Sequence, residues 1–211
     1  MDTVLIKRLL DVAQGKAPAD RVIRNGKLVN VFTDTIEDNV AITIKDGRVV
    51  SIEEDNGKNS FSGIEEIDAG GAYLCPGFID AHTHSDLSLL ADPRADSKIR
   101  QGVTTEVIGN CGSSSAPLAG AALAEARTDA ALLELEVTWR GFAGYLDRLR
   151  ASGTAVNVVP QVGHNTVRAA VVGLGDTQPD WAQLAAMERL VEQAMEEVAR
   201  GLSTWLYYPP G

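Results

Sequence analysis

The chain has 211 residues, of which 45% are hydrophobic, with a formal net charge of −10 and a pI near 4.7. So acidic a balance, with no basic patch, argues against a nucleic-acid or anionic-membrane partner. The length suits one large domain or two small ones, and with no run of 18 apolar residues the chain has no membrane span.

The opening stretch, MDTVLIKRLLDVAQGK, carries charges at Lys7, Arg8 and Asp11, so it lacks the apolar centre of a signal peptide. Val4, Leu5, Leu9, Val12 and Ala13 fall on one stripe and predict a short amphipathic helix. RVIRNGKLVNVF predicts a β-hairpin turning at Asn25-Gly26, and NVAITIKDGRVVSIEE predicts a second turning at Asp46-Gly47. The polar NGKNSFSG reads as a loop, and IEEIDAGGAYLCPG as one more short strand followed by a glycine turn. Residues 1–75 therefore read as a helix and a small β-rich module.

From Pro76 the pattern changes. GFIDAHTH predicts a buried strand, DPRADSKIRQG a short helix closed by Gly102, and VTTEVIGNCG a second strand. AGAALAEARTDAALLELE and TWRGFAGYLDRLRASG are helical, with Gly153 as a C-cap. AVNVVPQVGHN predicts a third strand, QPDWAQLAAMERLVEQAMEEVARG an amphipathic helix capped near Asp180, and LSTWLYYPPG a fourth strand. Strands alternating with helices imply βα units on a parallel sheet, an α/β fold. Four such strands make either a small open sheet or the first half of an eight-stranded barrel, which typically takes about 250 residues.

Three histidines occur in the chain, and two stand together in CPGFIDAHTHSD. Residues two apart in a strand share a face, so Asp80, His82 and His84 are expected to point the same way. The C-terminal end of a parallel barrel strand is where barrel enzymes keep their chemistry. Two imidazoles there suit a zinc-like metal, and Asp80 or Asp86 can fix a ring tautomer from behind. The plainer alternative is two loop histidines bonded to backbone.

Cys111, between glycines in GNCGSSSAP, is reachable, and its thiolate is a strong zinc ligand. A small buried thiol is the alternative, and that reading suits Cys75 better. His164 at the end of the third strand, and Tyr207 and Tyr208 at the end of the fourth, are candidate substrate contacts. For each, loop packing is the competing account. Two cysteines make no disulfide framework and point to reduced thiols in the cytoplasm.

GAYLCPGFIDAHTHSD resembles the first barrel strand of the amidohydrolase superfamily, led in by its small β-sandwich module. KIRQGVTTEVIGNCGSSSAPL, NVVPQVGHNTVR and MERLVEQAMEEVARGLSTWLYYPPG are similar to the N-acyl-D-amino-acid deacylases (D-aminoacylases) of that superfamily. The opening residues look more like adenine deaminases, and Trp205 stands where the deacylase family usually has glycine. The resemblance implies that residues 76–211 are the first half of a TIM-like (β/α)8 hydrolase barrel, with about four strands present.

It further implies His82, His84 and Cys111 as metal ligands, one tight Zn2+ and room for a second, weaker divalent ion. The implied reaction is zinc-assisted hydrolysis of the amide bond of N-acyl-D-amino acids. The family's catalytic aspartate and further histidine ligands belong to later strands, so that aspartate is expected beyond Gly211. On this reading the chain is an incomplete form with little or no activity, and its open barrel edges favour self-association. An adenine deaminase-like or other cyclic-amide hydrolase, and a non-catalytic half-barrel, are the alternatives.

Overall fold

The computed structural model describes residues 2–57 and 62–207. It divides into two compact units, Met1–Pro76 and Gly77–Gly211.

The first unit begins with helix α1 (Thr3–Ala13), whose N-cap Asp2 accepts a hydrogen bond from the Val4 N–H. Val12 is buried and Leu5 and Leu9 are half-buried, whereas Val4 and Ala13, expected on the same stripe, face solvent. Strands β1 (Ala19–Asn30), β2 (Thr35–Lys45), β3 (Arg48–Glu54), β4 (Gly63–Asp68) and β5 (Tyr73–Leu74) follow. They form one five-stranded sheet in the order β3-β2-β1-β4, with β5 also on β1. β2 and β3 are antiparallel around Asp46-Gly47, both at positive φ, as the sequence predicts.

The hairpin expected at Asn25-Gly26 does not form. Those residues lie inside the continuous strand β1, where the register against β2 shifts on either side of Gly26. Asn25 keeps the left-handed conformation its type favours (φ 54°), but as a bulge. β1 is paired on both sides, so neighbours hold it straight: the Gly71 N–H donates to the Asn25 carbonyl, and the Asn25 side chain donates to Asp68 at 2.9 Å. The chain reverses instead after Asn30, whose Oδ1 accepts from the Phe32 and Thr33 N–H groups at 3.0 and 3.3 Å. Cys75, expected to be buried, is exposed, because β5 ends one residue before it.

The second unit runs β6 (Phe78–Asp80), α2 (Ser88–Ala91), α3 (Asp96–Ile99), β7 (Val103–Ile108), α4 (Gly120–Ala131), α5 (Phe142–Ser152), β8 (Asn157–Pro160), β9 (Val162–Gly163), α6 (His164–Val171), α7 (Trp181–Glu197) and β10 (Leu202–Ser203). β6, β7 and β8 are parallel neighbours in that order, and β9 pairs in parallel with β10. At Gln161 the third strand changes partner. Its N–H donates to the Ile108 carbonyl, while the next, Val162, donates to Gly201. Four successive parallel strands joined by helical crossovers thus make an α/β arrangement of the kind that opens a (β/α)8 barrel.

The core holds Leu89, Ile108, Phe142, Tyr145, Leu149, Val162 and Val167. Phe142, Tyr145 and Leu149 fall on one face of α5 at helical spacing. α7 starts at a full capping box, Asp180 with Gln183.

Three expectations are corrected here. β6 is an edge strand and is not buried: Phe78 and Ile79 are 55% and 65% exposed. His164 does not end a strand but opens α6, an element the sequence pattern did not announce. The fourth strand shrinks to two residues.

Candidate metal centre

β6 stops at Asp80, so His82 and His84 stand in the loop that follows it. The alternation expected of a strand persists all the same. Thr83 and Ser85 are buried, while His82 and His84 on the other side are exposed. Their rings meet edge to face with centroids 5.6 Å apart.

Cys111 arrives from the next strand. The loop after β7 carries it at φ 54°, between Gly109 at 76° and Gly112 at 75°. A side chain at Gly109 would overlap the Gln161 carbonyl, and one at Gly112 would reach the Asn165 amide at 2.5 Å. Glycine is therefore required on both sides of the thiol. Ser203 of β10 ties the loop, donating to the Gly109 carbonyl and accepting from the Gly112 N–H at 3.0 Å. The buried Asn110 amide joins the loops after β6 and β7, donating to the carbonyls of Thr83 (3.1 Å) and Val107 (2.7 Å).

The outcome is a cluster in which one ligand atom from each of His82, His84 and Cys111 lies within 4.8 Å of the others. His82 Nε2 is 3.1 Å from Cys111 Sγ. Two exposed imidazoles and a half-buried thiol, converging, are a donor set of zinc type, so the residues present fit the ion that the sequence motif implies.

The two aspartates take different places. Asp80 uses one oxygen for the His82 backbone N–H (3.2 Å) and the other for Lys98 Nζ (2.6 Å), so it holds the histidine's backbone rather than its ring. Lys98 first, then that backbone N–H, keep the Asp80 carboxyl below the ordinary carboxylate range. Asp86 has one oxygen near the Gly109 N–H (3.4 Å) and the other buried without a partner. Burial pushes its carboxyl up to about 6, against the pull of the backbone N–H groups.

His84, Asp86 and Cys111 line a cavity of about 620 Å³ together with Ser113–Ser115, Asn165 and Trp205. Core aromatics set its wall. Tyr145 OH donates to the Asp86 carbonyl and Trp139 Nε1 to the Ser115 carbonyl, each at 2.7 Å. Burial raises the Tyr145 hydroxyl well above its ordinary value, which keeps it a donor. Trp205, where the deacylase family usually has glycine, adds bulk to this cavity.

His164 lines a different, apolar cavity with Val167, Met187 and Leu202. Tyr208 lies outside the described residues. Sequence reading passed over Asn110, whose position beside the candidate thiol hid its bridging role, and Glu106, whose signal was a charge in the middle of a strand.

A model of the amidohydrolase family matches residues 65–207. The chain belongs to the amidohydrolase family. Within the family, it is 41% identical over 175 residues to an N-acyl-D-aspartate deacylase of Alcaligenes xylosoxydans xylosoxydans, a match covering 80% of this chain and 33% of the relative. Among solved structures it resembles a D-aminoacylase studied for its binuclear metal centre (35% identity, TM-score 0.78). It also resembles an N-acyl-D-glutamate deacylase of Bordetella bronchiseptica complexed with zinc and a phosphonate inhibitor (32% identity, TM-score 0.79). Each structural match covers 92% of this chain and 40% of the other. The chain thus spans about a third of the curated relative's length.

Proposed function

We propose that this chain contributes the first metal-binding strands of a zinc-dependent deacylase acting on N-acyl-D-amino acids. The observation that carries the reading is the His82–His84–Cys111 cluster, drawn together from two successive strand ends. The deacylase relatives support it. A zinc ion held there supplies Lewis acidity and lowers the pKa of water to about 7. His82, His84 and Cys111 would hold the ion, Cys111 most tightly as a thiolate, with capacity nearby for a second, weaker one. Asp86, Ser113–Ser115, Asn165 and Trp205 wall the cavity in which an acylated D-amino acid would lie. Asp80 stands behind His82 through its backbone; Tyr208 remains a proposed outer substrate contact, whereas His164, lining the separate apolar cavity, does not.

Both cysteines are free thiols, which suits a cytoplasmic protein. Among the described residues no helix is long and apolar enough to cross a membrane. β6 and β10 stand at sheet edges, and unpaired edges recruit further strands. Light scattering is therefore expected to show self-association; a monodisperse monomer would contradict it.

The test begins with zinc content per chain, expected near one and lost in Cys111→Ala. N-acetyl-D-methionine, N-acetyl-L-methionine and adenine are then assayed in parallel. Any turnover, weak for the 211 residues alone, is expected with the D-amide only. Ammonia release from adenine without D-amide hydrolysis would replace this reading with a deaminase.

A further inference from the structure

Beneath the two histidines lies a polar group that the proposed chemistry does not use. Glu106, in the middle of β7, is 0% exposed and pairs in register with Asp80 of β6. One of its oxygens accepts from the Ser85 hydroxyl, and the other has no hydrogen-bond partner and lies 3.9 Å from Lys98 Nζ. Lys98 also donates to Asp80 at 2.6 Å and to the Thr83 hydroxyl at 3.1 Å. Asp80, Thr83 and Ser85 flank and separate the two histidines, and Lys98 with Glu106 holds all three.

We infer that Glu106 and Lys98 are positioning residues for His82 and His84, clamping Asp80, Thr83 and Ser85 so that the two imidazoles face Cys111. The inference rests on the metal reading above for its purpose, though the clamp itself is a property of the chain without metal. The physical argument is one of order. Beyond the three-residue strand the ladder is reduced to one long bond, from the Thr83 N–H to the Val107 carbonyl at 3.4 Å, which does little to fix the loop. Three side-chain anchors, Asp80 and Thr83 to the half-buried Lys98 and Ser85 to the buried Glu106, fix the residues before, between and after the histidines, and His82 and His84 are then turned outward. A buried carboxylate on a central strand is costly unless it is paired and hydrogen-bonded, and the groups that pair with Glu106, Ser85 and Lys98, are the ones that hold this loop. Neither residue touches the proposed ion.

The test uses the whole chain with Ser85→Ala, which removes one hydroxyl, and Glu106→Gln, which removes the charge at nearly constant shape. Zinc affinity is read by competition with a chromophoric chelator. Amide hydrogen exchange of the metal-free chain is read over 81–87, with 142–152 of α5 as the internal reference. Disrupting a partner that orients metal ligands typically weakens metal binding by about 10- to 100-fold, and that loss is expected for both variants. Exchange should quicken over 81–87 while 142–152 stays unchanged. Wild-type affinity with wild-type exchange would overturn the inference. So would faster exchange throughout the unit, which would mean a role in general stability only. If the wild-type chain binds no zinc, the metal reading fails, and the clamp is then decided by the exchange data alone.

Discussion

The loops after β6 and β7 deliver side chains to the same His82–His84–Cys111 cluster by different means. The first presents two histidines from a stretch with ordinary side chains, held by contacts from Asp80, Thr83 and Ser85 to Lys98 and Glu106. The second presents one cysteine from a backbone in left-handed conformation, between glycines that no other residue can replace. A side-chain clamp tolerates graded change, because each contact is one of several. A backbone device fails at once, because a clash with a carbonyl has no soft way out.

The contrast sets an order of effects. Gly109→Ala should be the most damaging, since it combines a positive φ with overlap against Gln161. A loss of about 3 kcal/mol is expected in urea unfolding of the metal-free chain, together with loss of zinc binding. If Gly109→Ala folds and binds zinc like wild type, the backbone account of the second loop is wrong.

Cys111→Ala separates ligand from scaffold. Zinc affinity should fall at least about 100-fold, whereas metal-free stability should change by less than about 1 kcal/mol, because the glycines and Ser203 still define the loop. A large drop in metal-free stability would show that the thiol, rather than the backbone, organises the turn. Asn110→Ala tests the bridge between loops. It strips the Thr83 and Val107 carbonyls of a donor, so about 2 kcal/mol of stability should be lost, with zinc binding weakened about tenfold. Stability lost without any change in zinc affinity would mean that the two loops are positioned independently.

Smallest is Asp180→Ala, remote from both loops. Losing the α7 capping box should cost about 1 kcal/mol in thermal or urea unfolding, with unchanged zinc affinity. A change in zinc affinity there would blur the distinction between site and scaffold.

Much of the site was legible for a reason that needed amending. The spacing of His82 and His84 implied a shared face, and they do share one. The cause is the anchoring of Thr83 and Ser85, because the strand itself has already ended. Asn25-Gly26 teaches the converse. The dipeptide takes its favoured left-handed conformation, but a strand paired on both sides cannot turn there, so local preference became a bulge. The actual turn was signalled more weakly, by the side chain of Asn30 bonding its own following backbone. His164 illustrates a third kind of miss. A strand end and a helix start look alike when both are short and flanked by glycine and asparagine.

By itself the sequence determined what depends on near neighbours: the helix periods, the Asp46-Gly47 hairpin, the cap at Asp180, the alternation of strands and helices, and the presence of two metal-type motifs. These follow from backbone geometry within a few residues. The tertiary structure alone decided what depends on strand adjacency. It brought Cys111 to His82 across 29 positions of chain, laid Asn110 between their loops, and buried Glu106 beside Lys98 under the loop that carries the histidines. Parallel neighbours joined by long crossovers carry no local trace of which residues will meet. Only pairing of the strands in register turns two separate motifs into one cluster.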